Sequence, residues 1–290
     1  MPAVPFDYYA PASLAEALAL MREHGEDAKP LAGGQSLVPM LTLRLARPTA
    51  VIDLNSLTEL RTARREDGML RIGALVPHRA LERGEGVLAG CPLLQEAAAL
   101  IGNARVRALG TIGGSLAHAD PAAELPAVAQ ALEGTVVLRG PEGERAVAAR
   151  DFFVDVLTTA LRPGELVVEV CLPIPAPRAG HAVEEFSRRA GDFGIVTAVA
   201  VVELSPAGDL TRVRVALGGV GTTPRRLPKV EAALTGVRPD GRALRDASEG
   251  AGDEIEPESD AHASAAYRRH LARVLTRRAL GRAVDMAQRG

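Results

Sequence analysis

Ala32-Gly33-Gly34-Gln35-Ser36-Leu37 and Thr111-Ile112-Gly113-Gly114-Ser115-Leu116 are the two stretches that decide the fold. In each, a Gly-Gly pair is followed within two residues by Ser and then Leu, and each stretch appears at the end of an extended segment. Paired glycines permit positive φ and close backbone approach, and successive N–H groups can form an anion-binding concavity. A plain turn is the alternative for each stretch taken singly. Because the same motif occurs twice, the pair predicts two loops that clamp the two phosphates of a dinucleotide.

Neither glycine stretch matches G-x-G-x-x-G or G-x-x-x-x-G-K-[ST], so neither a Rossmann site nor an NTPase site is indicated. The second stretch runs on into a polar cluster with His118, Asp120 and Glu124. Asp120 is suited to be the N-cap of a helix that opens at Pro121. His118 is expected either to reach a phosphate or adenine or to be a surface histidine. Glu124 is placed to accept hydrogen bonds from ribose hydroxyls, as acidic residues do in other dinucleotide sites.

Composition excludes several classes of protein. The 290 residues predict two domains, and 47% hydrophobic with 24% charged residues is enough for packed cores. A formal net charge of −2 argues against a basic surface that binds nucleic acid. There is no apolar run long enough for a transmembrane helix, and the start has no signal-peptide pattern. We therefore expect a cytoplasmic protein, peripheral at the inner face of the membrane only through a complex.

Cysteine and histidine usage is equally restrictive. The two cysteines, Cys91 and Cys171, are far apart. Iron–sulfur clusters usually need four thiolates, so this chain is not expected to hold one by itself, and a disulfide framework is excluded. Both cysteines are interpreted as small apolar core residues. The histidines show no ligand spacing, so no metal site is expected.

Hydrophobic periodicity and turn residues predict the elements of the first half of the chain. A capping box at Ser13 and Glu16 opens a helix that stops at Gly25. The further predictions are helices over residues 38–45, 92–101 and 121–132, strands over 50–54, 69–74 and 166–172, and a hairpin of 135–138 with 145–148.

Three prolines within Pro173-Ile174-Pro175-Ala176-Pro177-Arg178 indicate a linker, where we place the boundary between domains 1–175 and 176–290. Beyond it, a β-branched run at 195–204 and an alternating run at 212–217 predict two strands joined by a turn at 205–209. Helices are expected near 225–235, 240–248 and 258–284. The last has an apolar face (Tyr267, Leu271, Val274, Leu275) and an arginine face (Arg268, Arg269, Arg273, Arg277, Arg278), which is either solvated or docks a partner. This order of elements predicts two α+β domains.

Several motifs, in this order and over essentially the whole chain, resemble those of the FAD-binding medium subunits of molybdenum hydroxylases, the relatives of xanthine dehydrogenase and aerobic carbon monoxide dehydrogenase. The matching segments are 32–40 with Leu43-Arg44-Leu45, 110–121, Leu161-Arg162-Pro163-Gly164-Glu165-Leu166, 186–193 and Thr223-Pro224-Arg225-Arg226. The resemblance implies a vanillyl-alcohol-oxidase-type (PCMH-type) FAD-binding domain. A smaller α+β domain like the carbon monoxide dehydrogenase flavoprotein C-terminal domain would follow and cover the isoalloxazine.

The resemblance also implies a set of FAD-binding residues. The two loops would hold the pyrophosphate, His118 would lie at the phosphate or adenine end, Glu124 would hold the ribose, and Leu166 and Phe193 would lie at the isoalloxazine. The Arg188-Arg189 pair would hold the second domain against the flavin site. The full candidate set is Ala32, Gly33, Gly34, Gln35, Ser36, Leu37, Thr111, Ile112, Gly113, Gly114, Ser115, His118, Glu124, Leu166 and Phe193.

Four positions depart from the commoner family pattern. Gln35 stands where His is frequent, Ser115 where Asn is usual and Glu124 where Asp is common, and all three keep hydrogen-bonding capacity. Glu184 stands where some members carry a Lys that contacts the flavin carbonyls, so a lower flavin potential is expected.

The implied function is electron transfer rather than acid–base catalysis, so no catalytic residue is assigned. A large partner with a molybdenum cofactor would oxidise the substrate, and a small partner with two [2Fe–2S] clusters would relay electrons to FAD on this chain. The complex would be a dimer of heterotrimers, with NAD, a quinone or oxygen as the acceptor. The alternatives are a stand-alone flavin reductase of a related fold and a scaffold subunit without FAD.

Overall fold

A computed structural model describes residues 4–176 and 179–289; Pro177 and Arg178 of the predicted linker lie outside the described residues. The helices are α1 (Leu14–His24), α2 (Leu37–Thr42), α3 (His78–Arg83), α4 (Pro92–Leu100), α5 (Ala104–Leu109), α6 (Ile112–His118), α7 (Glu124–Ala131), α8 (Ala149–Phe152), α9 (Pro228–Leu234), α10 (Gly241–Glu249) and α11 (Ala265–Arg289). The strands are β1 (Asp7–Tyr9), β2 (Ala28–Leu31), β3 (Ala50–Asp53), β4 (Ala63–Glu66), β5 (Met69–Gly73), β6 (Thr135–Gly140), β7 (Gly143–Ala148), β8 (Phe153–Asp155), β9 (Thr158–Thr159), β10 (Leu166–Pro173), β11 (Ala179–Phe186), β12 (Val196–Leu204), β13 (Leu210–Gly218) and β14 (Arg225–Arg226).

Two sheets organise the first part of the chain. A parallel sheet of order β1-β3-β2 packs with α1, and an antiparallel sheet of order β4-β5-β10-β6-β7 lies beside it. Side chains alternate between the faces of a strand, so β10 sends Val168 into the core under the small sheet and Val167 into the core under α4, α6 and α7. The five-stranded sheet is therefore covered on both faces.

The second part is an antiparallel sheet of order β11-β12-β13-β14 with α11 along one face. Val196, Ala198 and Ala200 of β12 share a core with α11, whereas Val199 and Val201 join the core of the first part. The β12 run is buried on both faces, which explains why it is continuously apolar. Its opposite face joins the two parts of the chain.

Most predicted elements are present, with corrected bounds. Half of the predicted α1 capping box forms: the Ser13 hydroxyl accepts from the Glu16 N–H at 3.2 Å, whereas the Glu16 carboxylate accepts from the Ala12 N–H at 2.8 Å instead of the Ser13 N–H. The helix predicted over 38–45 spans only Leu37–Thr42, because Arg44 takes a positive φ of 59°. The helix predicted from Pro121 begins at Glu124, and the Asp120 carboxylate accepts from the Ala122 N–H instead of capping it. The prediction of Asp120 as a helix N-cap is therefore wrong.

The predicted faces of the last helix also need correction. Arg268 is buried, and its guanidinium donates to the carbonyls of Ile195 and Gly219 and to the Asp260 carboxylate. Tyr267, expected on the apolar face, is 40% exposed. Helical periodicity identifies a face but cannot show that a buried arginine has carbonyl acceptors from another element. No helix within the described residues is long and apolar enough to cross a membrane.

Glu133, just after α7, ties the two parts together. Its carboxylate lies 2.9 Å from the Arg212 guanidinium, 2.6 Å from that of Arg214 and 3.4 Å from that of Arg226. The Arg214 side chain is only 7% exposed. The half-buried strand predicted at 212–217 is therefore buried at Arg214 too, because Glu133 neutralises the guanidinium. Burying that charge without its partner would be costly.

Glu133→Ala should lower the free energy of unfolding by about 2 kcal/mol, because it leaves the buried Arg214 guanidinium without its carboxylate. Urea denaturation measures this. The matched control is Glu203→Ala, whose carboxylate lies 3.9 Å from Arg212 in a more exposed pair and should cost under about 1 kcal/mol. Equal losses of unfolding free energy in the two variants would contradict the role of Glu133 in joining the two parts of the chain.

Candidate functional site

The two glycine loops lie edge to edge. A Cβ atom added to Gly33 would overlap the Leu109 carbonyl oxygen and lie 2.7 Å from the Gly110 Cα, while one added to Gly114 would lie 3.7 Å from the Ala32 Cβ. The backbones of the two loops are in contact at the position that a side chain on residue 33 would occupy. Glycine is therefore required at position 33 by a close approach, and the loops form one cradle.

The first loop keeps its backbone donors free. Within the described residues, the N–H groups of residues 33–37 donate to no acceptor of the chain. The hydrogen bonds of α2 begin with the one from the Val38 N–H to the Gly34 carbonyl. Gly34 takes a φ of 69°, which favours glycine and turns the backbone toward one side. Half-buried N–H groups without partners are costly unless a ligand or water accepts from them. This loop therefore has the donor set of an anion site.

The second loop differs from the prediction. Its glycines lie in the first turn of α6, which follows α5 rather than a strand. Its successive N–H groups are already used: Ile112 donates to the Val76 carbonyl, Gly113 to the Ala74 carbonyl, Gly114 to the Thr111 hydroxyl and Ser115 to the Thr111 carbonyl. The expectation that both loops offer successive N–H groups to phosphate is thus wrong for the second, because the segment after β5 and the Thr111 cap accept their hydrogen bonds.

Hydroxyl groups remain on both sides of the cradle. Ser36 stands at the N-cap position of α2 without a side-chain capping bond, and the Ser115 hydroxyl forms no hydrogen bond within the described residues. Gln35 instead bends back, and its amide nitrogen donates to the Gly33 carbonyl at 2.9 Å. The amide of Gln35 therefore braces the first loop, while the two serines are available to donate to a ligand.

A polar network that the sequence analysis missed supports the first loop. The Asn55 side-chain amide donates to the Ala32 carbonyl at 2.8 Å and to the Asp53 carboxylate at 2.7 Å. Asp53 also accepts from the Tyr8 hydroxyl, and this hydrogen bond, with those from Asn55, holds the Asp53 pKa below its usual value although burial raises it. A signal existed: β2 and β3 are parallel, so residues after their carboxyl ends meet at one edge.

His78 lies under the second loop. It is 5% exposed, and its backbone N–H donates to the Gly110 carbonyl at 2.9 Å. A Cβ on Gly110 would lie 2.8 Å from the His78 ring. Burial lowers the pKa of His78 to about 4, so the ring is neutral near pH 7. His78 is the first residue of α3.

The polar cluster after the second loop lies between the end of α6 and the start of α7. His118 ends α6 and is half-buried, and Ala119 follows with a positive φ of 52°. Glu124 opens α7 and is only 4% exposed. Burial, followed by the neighbouring Glu185 and Asp120 carboxyls, raises the Glu124 pKa to about 8. Glu124 is therefore mostly protonated at neutral pH, whereas the sequence analysis treated it as an ordinary acceptor.

The residues predicted at the isoalloxazine are placed differently from one another. Leu166 begins β10 and is 3% exposed, inside the core that α1 and the small sheet share. Phe193 lies between β11 and β12 and is 61% exposed. The Leu166 side chain is thus buried and the Phe193 side chain is exposed. Contact of either one with the isoalloxazine ring stays a prediction.

Further residues of the second part were singled out by the family resemblance. The Glu184 carboxylate accepts from the Arg282 guanidinium at 2.7 Å, and the expected effect of Glu184 on the flavin potential stays a prediction. Arg188 and Arg189 are exposed and form no ion pair within the described residues, and their expected role at the flavin site stays a prediction. The loop that carries them approaches the first part at Gly191, where a Cβ would lie 2.8 Å from the Gly102 carbonyl oxygen.

Cysteine and metal chemistry stay outside this site. Cys91 and Cys171 are buried free thiols, and burial raises the pKa of each to about 11. Thiols with raised pKa values are poor nucleophiles and poor ligands at neutral pH. No group of three or more metal-ligating side chains occurs within the residues that the structure describes.

Family models match both parts of the chain. Residues 4–175 match the FAD binding domain in molybdopterin dehydrogenase, and residues 181–283 match the CO dehydrogenase flavoprotein C-terminal domain. The chain is 38% identical over 283 residues to the 6-hydroxypseudooxynicotine dehydrogenase complex subunit alpha of Paenarthrobacter nicotinovorans, covering 98% of this chain and 96% of the relative. It is also 38% identical over 283 residues to the carbon monoxide dehydrogenase medium chain of Afipia carboxidovorans, covering 98% of each.

The fold agrees with these matches. The structure of carbon monoxide dehydrogenase from Hydrogenophaga pseudoflava, which lacks the Mo-pyranopterin moiety of its cofactor, contains a chain that superposes with a TM-score of 0.95. That chain is 40% identical, and 99% of each chain is covered. The α+β two-part architecture and the FAD-binding assignment are thereby confirmed. The chain belongs to the family of FAD-binding medium subunits of the molybdenum hydroxylases.

Proposed function

We propose that this chain is the electron-transfer subunit of a heteromeric molybdenum hydroxylase, in which its FAD takes electrons from the [2Fe–2S] clusters of a small partner and passes them to an external acceptor. A large partner would hold the molybdenum cofactor, and the complex would be a cytoplasmic dimer of heterotrimers. The observation that carries the proposal is the single cradle made by Gly33 against Leu109 and Gly110, in a chain whose relatives are medium subunits along their whole length.

The residues present fit a dinucleotide with two phosphates. The free N–H groups of residues 33–37 and the Ser36 and Ser115 hydroxyls supply hydrogen-bond donors. The contact of Gly33 with Leu109 leaves the cradle without a side chain that would fill it. Glu124, which is 4% exposed, is proposed at the ribose from the family resemblance.

Bound FAD would supply a two-electron carrier whose redox chemistry is its own, while the protein supplies binding and orientation. The work of this chain is then to hold the pyrophosphate with backbone donors and to keep water from the cradle. We propose the set of FAD-binding residues given in the sequence analysis, with Asn55 and Gln35 as residues that position the first loop. Leu166 and Phe193 are proposed at the isoalloxazine.

Substrate choice would lie in another subunit. Full-length relatives that are 36–39% identical to this chain are named as parts of carbon monoxide, caffeine and nicotine enzymes. A chain conserved in length and fold across such different molecules serves a shared step. The transfer of electrons away from the substrate-oxidising centre is such a step, and it places no demand on substrate recognition here.

Gly33→Ala should weaken FAD binding by more than tenfold, because the added methyl overlaps the Leu109 carbonyl and separates the two loops. Fluorescence titration of the flavin-free chain measures the Kd. Gly241→Ala is the control, since a Cβ there meets nothing within 4 Å and φ is not positive. An unchanged affinity of Gly33→Ala for FAD would contradict the proposal that the two loops form one FAD-binding cradle.

The electron-transfer role is tested by following flavin absorbance anaerobically, first in the chain alone with FAD and then in the complex co-purified with its partners. We expect substrate to reduce the flavin only in the complex. If the isolated chain with FAD oxidised an organic substrate, it would be a stand-alone flavin enzyme. If the purified chain took up no FAD, it would be a scaffold.

A further inference from the structure

Along the first glycine loop the carbonyl groups are paired, whereas the N–H groups are free. Four consecutive carbonyls each accept a hydrogen bond from a donor of the chain. The pairs are Leu31 with the Leu54 N–H at 2.9 Å, Ala32 with the Asn55 amide at 2.8 Å, Gly33 with the Gln35 amide at 2.9 Å and Gly34 with the Val38 N–H at 3.0 Å. The N–H groups of residues 33–37 have no acceptor within the described residues.

The donors on these carbonyls also fix the direction of the free N–H groups. A peptide bond is planar and trans, so its C=O and its N–H point in opposite directions. Holding the carbonyls of Ala32, Gly33 and Gly34 therefore holds the N–H groups of residues 33–35, each turned away from the donor on its own peptide. Donors that are fixed before a ligand arrives bind it more tightly, because less freedom is lost on binding.

Two of the carbonyls are held by side-chain amides, and the two amides differ in origin. Gln35 belongs to the loop, so its amide moves with the loop. Asn55 follows β3, the strand that pairs with β2 in the parallel sheet. The Asn55 amide therefore fixes the peptide between Ala32 and Gly33 relative to the sheet, which Gln35 cannot do.

The Asn55 side chain can act in one orientation only. Its Nδ2 donates to the Ala32 carbonyl at 2.8 Å and to the Asp53 carboxylate at 2.7 Å. Its Oδ1 accepts from the Arg61 guanidinium at 2.8 Å. A flipped amide would face two acceptors with its oxygen and a donor with its nitrogen, so the surrounding groups select the orientation that donates to Ala32.

Asp53, the last residue of β3, holds Asn55 in turn. One oxygen of its carboxylate accepts from the backbone N–H of Asn55 at 2.9 Å and from the Asn55 side chain. The other oxygen accepts from the hydroxyl of Tyr8, which lies on β1 beside β3. Hydrogen bonds therefore run without a break from Tyr8 through Asp53 and Asn55 to the Ala32 carbonyl.

Resting on the proposed FAD function, we propose that Tyr8, Asp53 and Asn55 form one positioning unit of the dinucleotide site, which acts through the Ala32 carbonyl to hold the Gly33 N–H toward the pyrophosphate. None of the three is assigned a contact with the flavin. Their contribution to affinity comes from fixing a backbone donor in advance. The carboxyl edge of the parallel sheet thus sets the shape of the first loop.

The test replaces an amide by a carboxylate of the same size. In Asn55→Asp an acceptor faces the Ala32 carbonyl, so the peptide that carries the Gly33 N–H is released. Fluorescence titration of the flavin-free full chain should show an FAD Kd raised by about tenfold or more, as for the loss of one well-placed hydrogen bond.

The matched control is Asn103→Asp, which adds the same negative charge. The side-chain oxygen of Asn103 accepts from the N–H groups of Arg105 and Val106, and its amide nitrogen donates to nothing within the described residues. A carboxylate keeps both of these hydrogen bonds. The FAD Kd of Asn103→Asp should therefore equal that of the wild type.

A double variant, Asp53→Asn with Asn55→Asp, separates positioning from fold stability. The exchanged amide and carboxylate can bond to each other again, so the urea midpoint should return toward the wild-type value. No donor then faces the Ala32 carbonyl, so the FAD Kd should stay raised. Recovery of FAD affinity together with stability would overturn the inference, because the network would then act only by stabilising the sheet edge.

A folded Asn55→Asp chain that binds FAD as tightly as the wild type would also overturn the inference. If that variant does not fold, Tyr8→Phe decides, because it removes one hydroxyl from a side chain that is 57% exposed. Its Kd should rise by about threefold, and an unchanged Kd would contradict the positioning unit. A wild-type chain that binds no FAD would contradict the proposed function itself, which distinguishes that failure from FAD binding that does not depend on Asn55.

Discussion

The contact of Gly33 with the backbone of Leu109 and Gly110 is the constraint on which the site depends. It joins two segments that are far apart in sequence, one after β2 and one before α6. Because the contact is between backbones, no side chain can replace it, and each loop is shaped by the other. Everything proposed for the cofactor, from the free donors of residues 33–37 to the serine hydroxyls, presupposes this contact.

Helix α7 begins at Glu124, a proposed FAD-binding residue, and packs against the second sheet. Its core side chains are shared by both parts, and its two terminal glutamates meet a cluster of arginines and a second carboxyl respectively. The second sheet is therefore held to the first part by a shared core along α7 and by ion pairs after its C-terminal end. The boundary predicted near residue 175 stays a prediction. It divides the chain where the linker runs, while the packing runs continuously across α7.

Local signals in the sequence predicted local features. The Ser13 cap, the Gly140-Pro141-Glu142-Gly143 hairpin and the alternation around Val213 each depend on neighbours in the chain, and each element is present. The two glycine motifs also indicated the site, because closely packed backbones leave glycine as the only choice. Family resemblance then supplied the cofactor, which the spacing of residues could not name.

The predictions fail where contacts between segments far apart in the sequence determine the structure. The second loop lost its free N–H groups to the carbonyls of Ala74 and Val76, which come from another part of the chain. Arg268 is buried because Ile195 and Gly219 offer carbonyls. Asn55 and Glu185 were missed for the same reason, since each acts on a residue that only the folded sheets bring near.

The most direct test of the account is amide hydrogen exchange of the full chain with and without FAD. The account predicts that residues 33–37 exchange readily in the flavin-free chain and become protected when FAD binds, because their N–H groups have no acceptor in the described chain. Residues 112–115 should be protected in both states. Protection gained at 112–115 with none at 33–37 would contradict the assignment of the first loop as the source of backbone donors.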